Sequence, residues 1–515
     1  MTINYMSDNS ANNKRLVKNT ILLYARMLLL MVVSLYTSRV ILQALGVEDY
    51  GIYNVVGGVV AMFSIISSSL TAAIQRYITY ELGKGKNGDP TKVFSTSLNI
   101  QLMLIGIMII LLETIGLWFL NYKMVIPVER IEAANFVFQF SVLTFAMNLW
   151  SIPYNACIIA HEKMSAFAYI SIIEALAKLF ICFIVIQNVI DRLVFYSALI
   201  FLVGLVIRVL YGWYCKKHFK ECRHKFVLDK KLLREMFAFT GWNFFGAASF
   251  VLNTQGVNLL LNVYWGPIVN AARGIAVSVS TAVMGFANNF MTALNPQITK
   301  SYASGDLNYS IKLVFQGARY SYYILWVLCL PIIITTPYLL QLWLGVVPDN
   351  AIVFTRLVLI CSLSDALATP LVTLMLACGN IRDYQIVVGG LQLLNLPLSW
   401  LLLKLGAEPY VVFIVAIVIS IFSTFARLLM LKRMMPFPVL NFIKDVMLNI
   451  LMVSFLSSVF PIILNMYIEL ISFCDFLLIS LFTVIFATVV IFSFGCSKQE
   501  RSLALRFLLA KLKRS

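Results

Sequence analysis

Fourteen apolar stretches, each close to the length needed to cross a bilayer core, fill this chain, and Lys and Arg crowd into every second connection between them. No other feature constrains the fold as tightly. A segment of about 20 apolar residues must satisfy its backbone polar groups internally once water is gone, so each stretch is predicted to be a helix. Loops rich in Lys and Arg stay on the cytoplasmic side, so the alternation orients the chain with both termini cytoplasmic. The segments run 19–43, 51–76, 94–120, 132–157, 165–187, 192–214, 235–263, 267–293, 320–344, 351–377, 384–404, 409–431, 444–465 and 470–494. Charged residues make up 12% of the 515, against roughly one quarter in soluble domains, and the loops leave no room for a separate soluble domain. The expected fold class is an all-α polytopic membrane protein.

On this topology about 30 of the 40 Lys and Arg are cytoplasmic, among them Lys84, Lys86, Lys92, the run from Lys216 to Arg234, Lys432 and Arg433. External connections hold about four: Lys123, Arg130, Arg192 and Lys404. The formal charge of +17 is therefore mainly topology, and no nucleic-acid partner is expected. Residues 1–18 are polar and lack the short apolar core and cleavage site of a signal peptide, so the first segment is expected to stay as a helix. The nine cysteines form no CxxC pair and read as small apolar residues. Cys215, His218, Cys222 and His224 share one basic loop, but their spacing fits no standard zinc pattern, and no metal or other cofactor is expected.

The second and eighth segments echo each other. GIYNVVGGVVAMFSIISSSLTAAIQRYITYELGKG and AARGIAVSVSTAVMGFANNFMTALNPQITKSYASGD are both rich in small residues, and Gln75, Tyr80 and Gly83 align with Gln297, Tyr302 and Gly305 at one offset. Small residues recur in all packed membrane helices. Six helices followed by six more, both sets starting on the cytoplasmic side, would nevertheless form two parallel lobes around a central cavity. The expected organisation is a tail (1–18), a six-helix lobe (19–214), a basic loop (215–234), a second six-helix lobe (235–431), two further helices (432–494) and a basic amphipathic tail (495–515). In that tail Leu503, Phe507 and Leu508 would face the membrane and Arg506, Lys511 and Lys513 its headgroups; a solvated helix is the alternative.

The stretch FTGWNFFGAASFVLNTQGVNLLLNVYWGPIVNAARGIAVSVS, followed by NNFMTALNPQITKSYASGD, resembles polysaccharide flippases of the Wzx type, in the multidrug/oligosaccharidyl-lipid/polysaccharide exporter superfamily. LGVEDYGIYNVV, ACGNIRDY and NLPLSWLLLKLGAEPY extend the resemblance from about residue 15 to about 435. It implies twelve core helices in two lobes plus two more. It also implies transport of an undecaprenyl-pyrophosphate-linked oligosaccharide across a bacterial inner membrane by alternating access, as in O-antigen and lipopolysaccharide synthesis. Membrane lipids and other polysaccharide-assembly proteins are the partners this implies.

Such a substrate carries a pyrophosphate and a glycan, so its path needs fixed cations and hydrogen-bonding groups, and Arg suits phosphate through its planar fork. Cations within the segments include Arg26, Arg39, Lys178, Arg208, Arg273 and Arg356. Arg208 and Arg356 lie within about two turns of a helix end, where snorkelling to headgroups is the expected reading. Arg26, Arg39 and Arg273 are candidates for the cavity, with snorkelling as the alternative. Lys178 follows Glu174 by one helical turn, so the two form either a self-neutralising pair or a site that opens for substrate phosphate or a coupling ion. Asp365 is a lone mid-helix carboxylate, suited to a proton or sodium site or to an interhelical hydrogen bond. Gln255, Asn258 and Asn262 share one face, with Asn243 and Asn253 nearby, and could match glycan hydroxyls or bond neighbouring helices. Trp150 and Tyr154 could stack on sugars or belong to the interfacial belt.

Two other functions compete. A multidrug/cation antiporter of the same superfamily would need an acidic cavity, whereas cations outnumber acids within these helices. A membrane glycosyltransferase or polymerase would need a sizeable external loop with catalytic groups, and the external connections 121–131 and 343–350 are short. No GxxxxGK[ST] phosphate loop occurs. The chain is read as a transporter rather than an enzyme. The identity of the glycan, the coupling ion and the oligomeric state are not legible.

Overall fold

A computed structural model describes residues 2–63, 88–161, 163–187, 191–222, 251–303, 305–378, 382–468, 472–497 and 500–502, with isolated positions at 74, 77, 78, 81, 82, 248 and 249. At residues 2–27 and a few positions within later helices only the backbone is described. The described residues are helical and contain no strand. Twelve helices among them are long and apolar enough to cross a membrane. The expected fourteen differ from this in two places. The first and second segments are joined in α1 (Thr2–Met62), which breaks at Gly46 with φ of 82°, a backbone conformation that side chains resist. Much of the seventh, 235–247, lies outside the described residues; its end forms a π turn, Leu252–Gly256, and the short helix α6 (Val257–Trp265).

The other helices are α2 (Pro90–Tyr122), α3 (Val128–Ala160), α4 (Met164–Ile186), α5 (Arg192–His218), α7 (Pro267–Ala303), α8 (Leu307–Leu344), α9 (Ala351–Cys378), α10 (Arg382–Lys404), α11 (Val411–Met434), α12 (Val439–Tyr467) and α13 (Phe473–Gly495). Their starts are written in the sequence. Asp89 caps α2 by accepting from Lys92 N at 3.0 Å, with Pro90 in the first turn, where its missing N–H costs nothing. Asp191 does the same for α5, Asp306 for α8, and Ser472 with Asp475 forms a reciprocal capping box on α13.

Pro153, Pro331 and Pro370 fall inside α3, α8 and α9, and Pro397 follows a break in α10 at Leu394. A proline frees the carbonyl four residues earlier. Pro337 in α8 frees that of Ile333, and Arg356 Nε of α9 donates to it at 3.0 Å. Arg356 is therefore not the snorkelling residue expected from its depth; it repairs a proline defect in the neighbouring helix.

The chain divides into two compact units, 1–274 with 399–409 and 275–398 with 410–515. The expected boundary, the loop 215–234, lies outside the described residues from 223 onward. In the first unit the connections fall into two sets. Arg130 Nε donates to Asp49 at 2.7 Å and its Nη1 to Asp191 at 2.5 Å, while Arg192 donates to Ala44 O at 3.2 Å. One guanidinium thus ties together the ends of three connections that the charge pattern places outside. At the other end His161, after α3, pairs with Glu221, after α5. Cys215 and Cys222 are buried in the apolar core there, with Tyr154, Phe94 and Tyr211. Two contacts hold α6 and the start of α7. Gly51 meets Pro267 so closely that a Cβ would lie 1.9 Å from the Pro267 oxygen, and Asn258 Nδ2 donates to Asn54 O at 3.4 Å.

In the second unit α8 is the spine, packed on α9, α12 and α13. Three of its side chains fasten α12: Tyr322 to Ser454 at 2.9 Å, Tyr323 to Asn449, and Trp326 to Ser457 at 2.8 Å. These are polar contacts between apolar helices, where the hydrophobic effect gives no drive to associate. Of the echoing residues, Gln75, Tyr80 and Gly83 lie outside the described set, as does the amphipathic tail from 503.

Candidate functional site

The first unit contains a cavity of about 460 Å³ between α1, α4 and α5. Its wall on α1 carries Ser34, Thr37 and Ser38 before the Gly46 break and Tyr50, Tyr53 and Asn54 after it. The break turns the chain so that both halves of one helix face the same space. From α4 come Ser171, Glu174 and Lys178, which the 3.6-residue period places on one face. Tyr196 of α5 closes the end, edge-on to Tyr53 with ring centres 5.0 Å apart. A second space, of about 280 Å³, lies on the other side of Tyr53 and is lined by Ser141, Thr144, Asn148 and Ser197.

Lys178 Nζ lies 2.8 Å from Glu174 Oε1, the i,i+4 pair expected from the sequence. The pair is not isolated: Arg208 also reaches Glu174, at 3.4 Å, and donates from Nε to Asn148 Oδ1 at 2.8 Å. Snorkelling was the expectation for Arg208; instead its side chain is 17% exposed and turned inward. Position along a helix shows depth but not direction, and α5 turns this residue towards α4. The cluster holds two cations and one carboxylate, an excess of one positive charge. Glu174 and Arg208 are largely covered, whereas Lys178, 40% exposed, presents the charge to the cavity.

The other candidates fall elsewhere. Arg39 is half-buried, next in sequence to the cavity residue Ser38, and is itself partnered. For Arg26 only the backbone of α1 is described. Arg273 Nη2 donates to Thr254 O in the π turn at 2.6 Å, which makes it a strut between α7 and that turn. The amide face is mostly consumed by protein. Asn262 receives Val125 N at 3.0 Å and donates to Val125 O at 3.3 Å, splinting the connection after α2. Asn258 accepts from Asn270 at 2.8 Å as well as bonding Asn54 O. Gln255 is half-buried in the π turn, Asn253 is partnered, and Asn243 lies outside the described residues. Of the two aromatics, Tyr154 is 2% exposed and packs in the core with Trp150, ring centres 5.0 Å apart.

Asp365 is in the second unit, on the accessible side of α9, and accepts from Ser420 Oγ of α11 at 3.0 Å. Arg427, on the same helix as Ser420 and 6% exposed, supplies a counter-charge. It was not singled out from the sequence, because it precedes Lys432 and Arg433 and merges with their cytoplasmic cluster. Among the described residues no group of His, Cys, Asp and Glu could hold a metal ion.

This fold is that of known membrane flippases and transporters. The chain is similar to a solved lipid II flippase MurJ in an inward closed conformation, with a TM-score of 0.68 at 13% identity, covering 96% of this chain and 100% of that one. It is also similar to the MATE multidrug transporter DinF-BH, with a TM-score of 0.57 at 14% identity over 82% and 95% of the two chains. A superfamily transporter from Pyrococcus furiosus gives a TM-score of 0.52 at 13% identity over 81% and 96%. At these identities the likeness concerns the fold. No curated protein matches the chain. A family profile described as polysaccharide biosynthesis protein matches residues 16–302, more than half of the sequence, and the chain belongs to that family.

Proposed function

We propose that this protein is a flippase that moves an undecaprenyl-pyrophosphate-linked oligosaccharide from the cytoplasmic to the external face of a bacterial inner membrane by alternating access, for surface polysaccharide synthesis of the O-antigen type. The observation that carries this reading is the unbalanced charge of Lys178, Arg208 and Glu174 beside a cavity lined with hydroxyls and an amide. A fixed cation among hydroxyl groups matches a sugar phosphate: the cation answers the phosphate, and Ser, Thr and Tyr answer the sugar hydroxyls. The volume suits a headgroup portion rather than a whole glycan, within the usual range of roughly 300–1,000 Å³ for small-ligand sites.

Membership of a polysaccharide biosynthesis family supports the substrate class, and likeness in fold to a solved lipid II flippase supports the mode of transport. No bond is made or broken. A cationic drug would meet the excess positive charge, which disfavours the antiporter reading. Asp365 is carried forward as the ion-coupling candidate, since it is accessible and makes only a hydroxyl bond among the described residues. Glu174 is assigned to charge balance, with both oxygens engaged by cations. Arg39, next in sequence to the cavity residue Ser38, and Arg26 stay as candidate cations of the substrate path.

The test is export of surface polysaccharide in cells whose only copy carries Lys178→Gln, Lys178→Arg or Arg208→Gln, with membrane insertion checked by blotting. Export should fall in both Gln variants and be partly kept with Arg. Normal export in the Lys178→Gln and Arg208→Gln double variant would overturn the assignment.

A further inference from the structure

The second unit holds a larger space that the transport reading does not use, a cavity of about 790 Å³ where α8 begins, α12 begins and α13 ends. Two features shape it. Its walls on α12 and α13 are π turns, Ile443–Leu448 and Ile491–Gly495, each carrying one extra residue per turn, a distortion that recurs at functional sites. Lys444 and Asp445 project from the first, and Phe494 and Gly495 lie in the second.

The charges sort into two groups. Arg319 is spoken for: it donates to Glu500 Oε1 at 2.9 Å and to Gly495 O at 3.4 Å, while Gln316 donates to the same carboxylate at 3.1 Å. Glu500 also receives Ser497 N at 2.7 Å and so caps the first turn beyond α13. This bonded set forms one wall. Lys312 of α8 and Lys444 of α12 remain; both are exposed and neither has an ion-pair partner among the described residues. Asp445 is the one acid left on the rim, so two open lysines face one open carboxylate. Asn308 and Asn441 add amides beside them.

The setting decides what an anion here would be attached to. Next to the polar cavity, Leu440, Leu448 and Phe494 are 80%, 55% and 52% exposed, on helices apolar enough to cross a membrane. The cavity therefore sits where apolar, chain-facing surface meets cationic surface, which is the profile of a phospholipid along its length.

We propose that this cavity binds a phosphate group through Lys312 and Lys444, and that the phosphate is the headgroup of an anionic lipid whose chains lie along α12 and α13. The site fixes the last two helices to α8 at the face to which the charge pattern assigns the cytoplasm. It does not depend on the transported substrate.

The experiment is native mass spectrometry of the purified full chain titrated with phosphatidylglycerol, against phosphatidylcholine and against inorganic phosphate as competitor. Parent protein should retain phosphatidylglycerol in preference to phosphatidylcholine, and Lys312→Gln with Lys444→Gln should weaken that retention roughly 10- to 30-fold, from about 1 kcal/mol per Lys at a membrane surface. The control, Lys216→Gln with Lys217→Gln on α5, should change it less than twofold. Both lysine pairs are exposed, so the thermal midpoint in detergent should stay at the parent value. Resistance to millimolar inorganic phosphate supports a lipid-borne phosphate, and displacement by it supports recognition of the phosphate alone. Equal retention in parent and Lys312/Lys444 variant, or equal loss in the control, overturns the site.

Discussion

Replacing Lys178 by Gln is the perturbation that bears most closely on the charge cluster. The parent cluster has one net positive charge; the variant has Arg208 and Glu174 balanced and nothing left over. A charge-assisted hydrogen bond to phosphate contributes about 1.5–3 kcal/mol. The bare attraction of two unit charges 4 Å apart is about 4 kcal/mol at an effective dielectric near 20. Because Lys178 is 40% exposed, water screens it and the lower part of the range applies, about 1.5–2 kcal/mol. That is roughly a 10- to 30-fold loss of affinity for the lipid-linked sugar. Glu174→Gln works in the opposite sense, raising the net charge to two, so binding per folded molecule should be unchanged or tighter while thermal stability falls. The assay is titration of purified protein in nanodiscs with the lipid-linked oligosaccharide, read by native mass spectrometry. Affinity of Lys178→Gln within twofold of the parent, or weaker binding in Glu174→Gln at full folding, would refute the argument.

Other consequences follow from single contacts. Gly51→Ala drives a Cβ into the Pro267 backbone and should lower stability by roughly 3 kcal/mol or more, whereas Gly57→Ala, with nothing within 4 Å, should be harmless or stabilising; thermal melts of both variants compare them. Asn262→Ala removes both bonds to Val125 and should cost about 1–3 kcal/mol, with faster hydrogen exchange confined to the connection after α2. Burial raises the Glu500 carboxyl, but the Ser497 amide, Gln316 and Arg319 outweigh it and hold the group down at about 2. A lowered carboxyl stabilises the fold above its ordinary value of 4.5, and that contribution is lost as pH falls towards about 2. Protection of the amides at 497 and 500–502, taken relative to the intrinsic exchange rate at each pH, should therefore fall between pH 4.5 and 2 in the parent, and Glu500→Gln should flatten that fall.

The membrane-spanning helices were legible because segment length needs no partner, and the side on which cations collect predicts which connections share an end. Clasping of Asp49, Arg130 and Asp191 at one end of the first unit and His161 with Glu221 at the other accords with that pattern. The site was only half legible. Glu174 and Lys178 pair within one helix, so their spacing disclosed them. Arg208 and Asn148 come from two other helices, and nothing in a linear spacing says that α5 turns Arg208 inward. Arg356 was misread for the same reason: the proline that requires it lies 19 residues away on α8. The amides of α6 do share a face, as their period implied, but a buried amide satisfies backbone as readily as sugar, and Asn262 was taken by Val125.

The most direct test of the central claim is the distribution of undecaprenyl-linked sugars in spheroplasts lacking this chain, labelled metabolically and probed from outside with a membrane-impermeant lectin or glycosidase. A flippase for such a lipid predicts that one lipid-linked oligosaccharide accumulates inaccessible to the probe and becomes accessible again when the parent chain, but not Lys178→Gln with Arg208→Gln, is restored. Unchanged levels and unchanged accessibility of every lipid-linked sugar would contradict it.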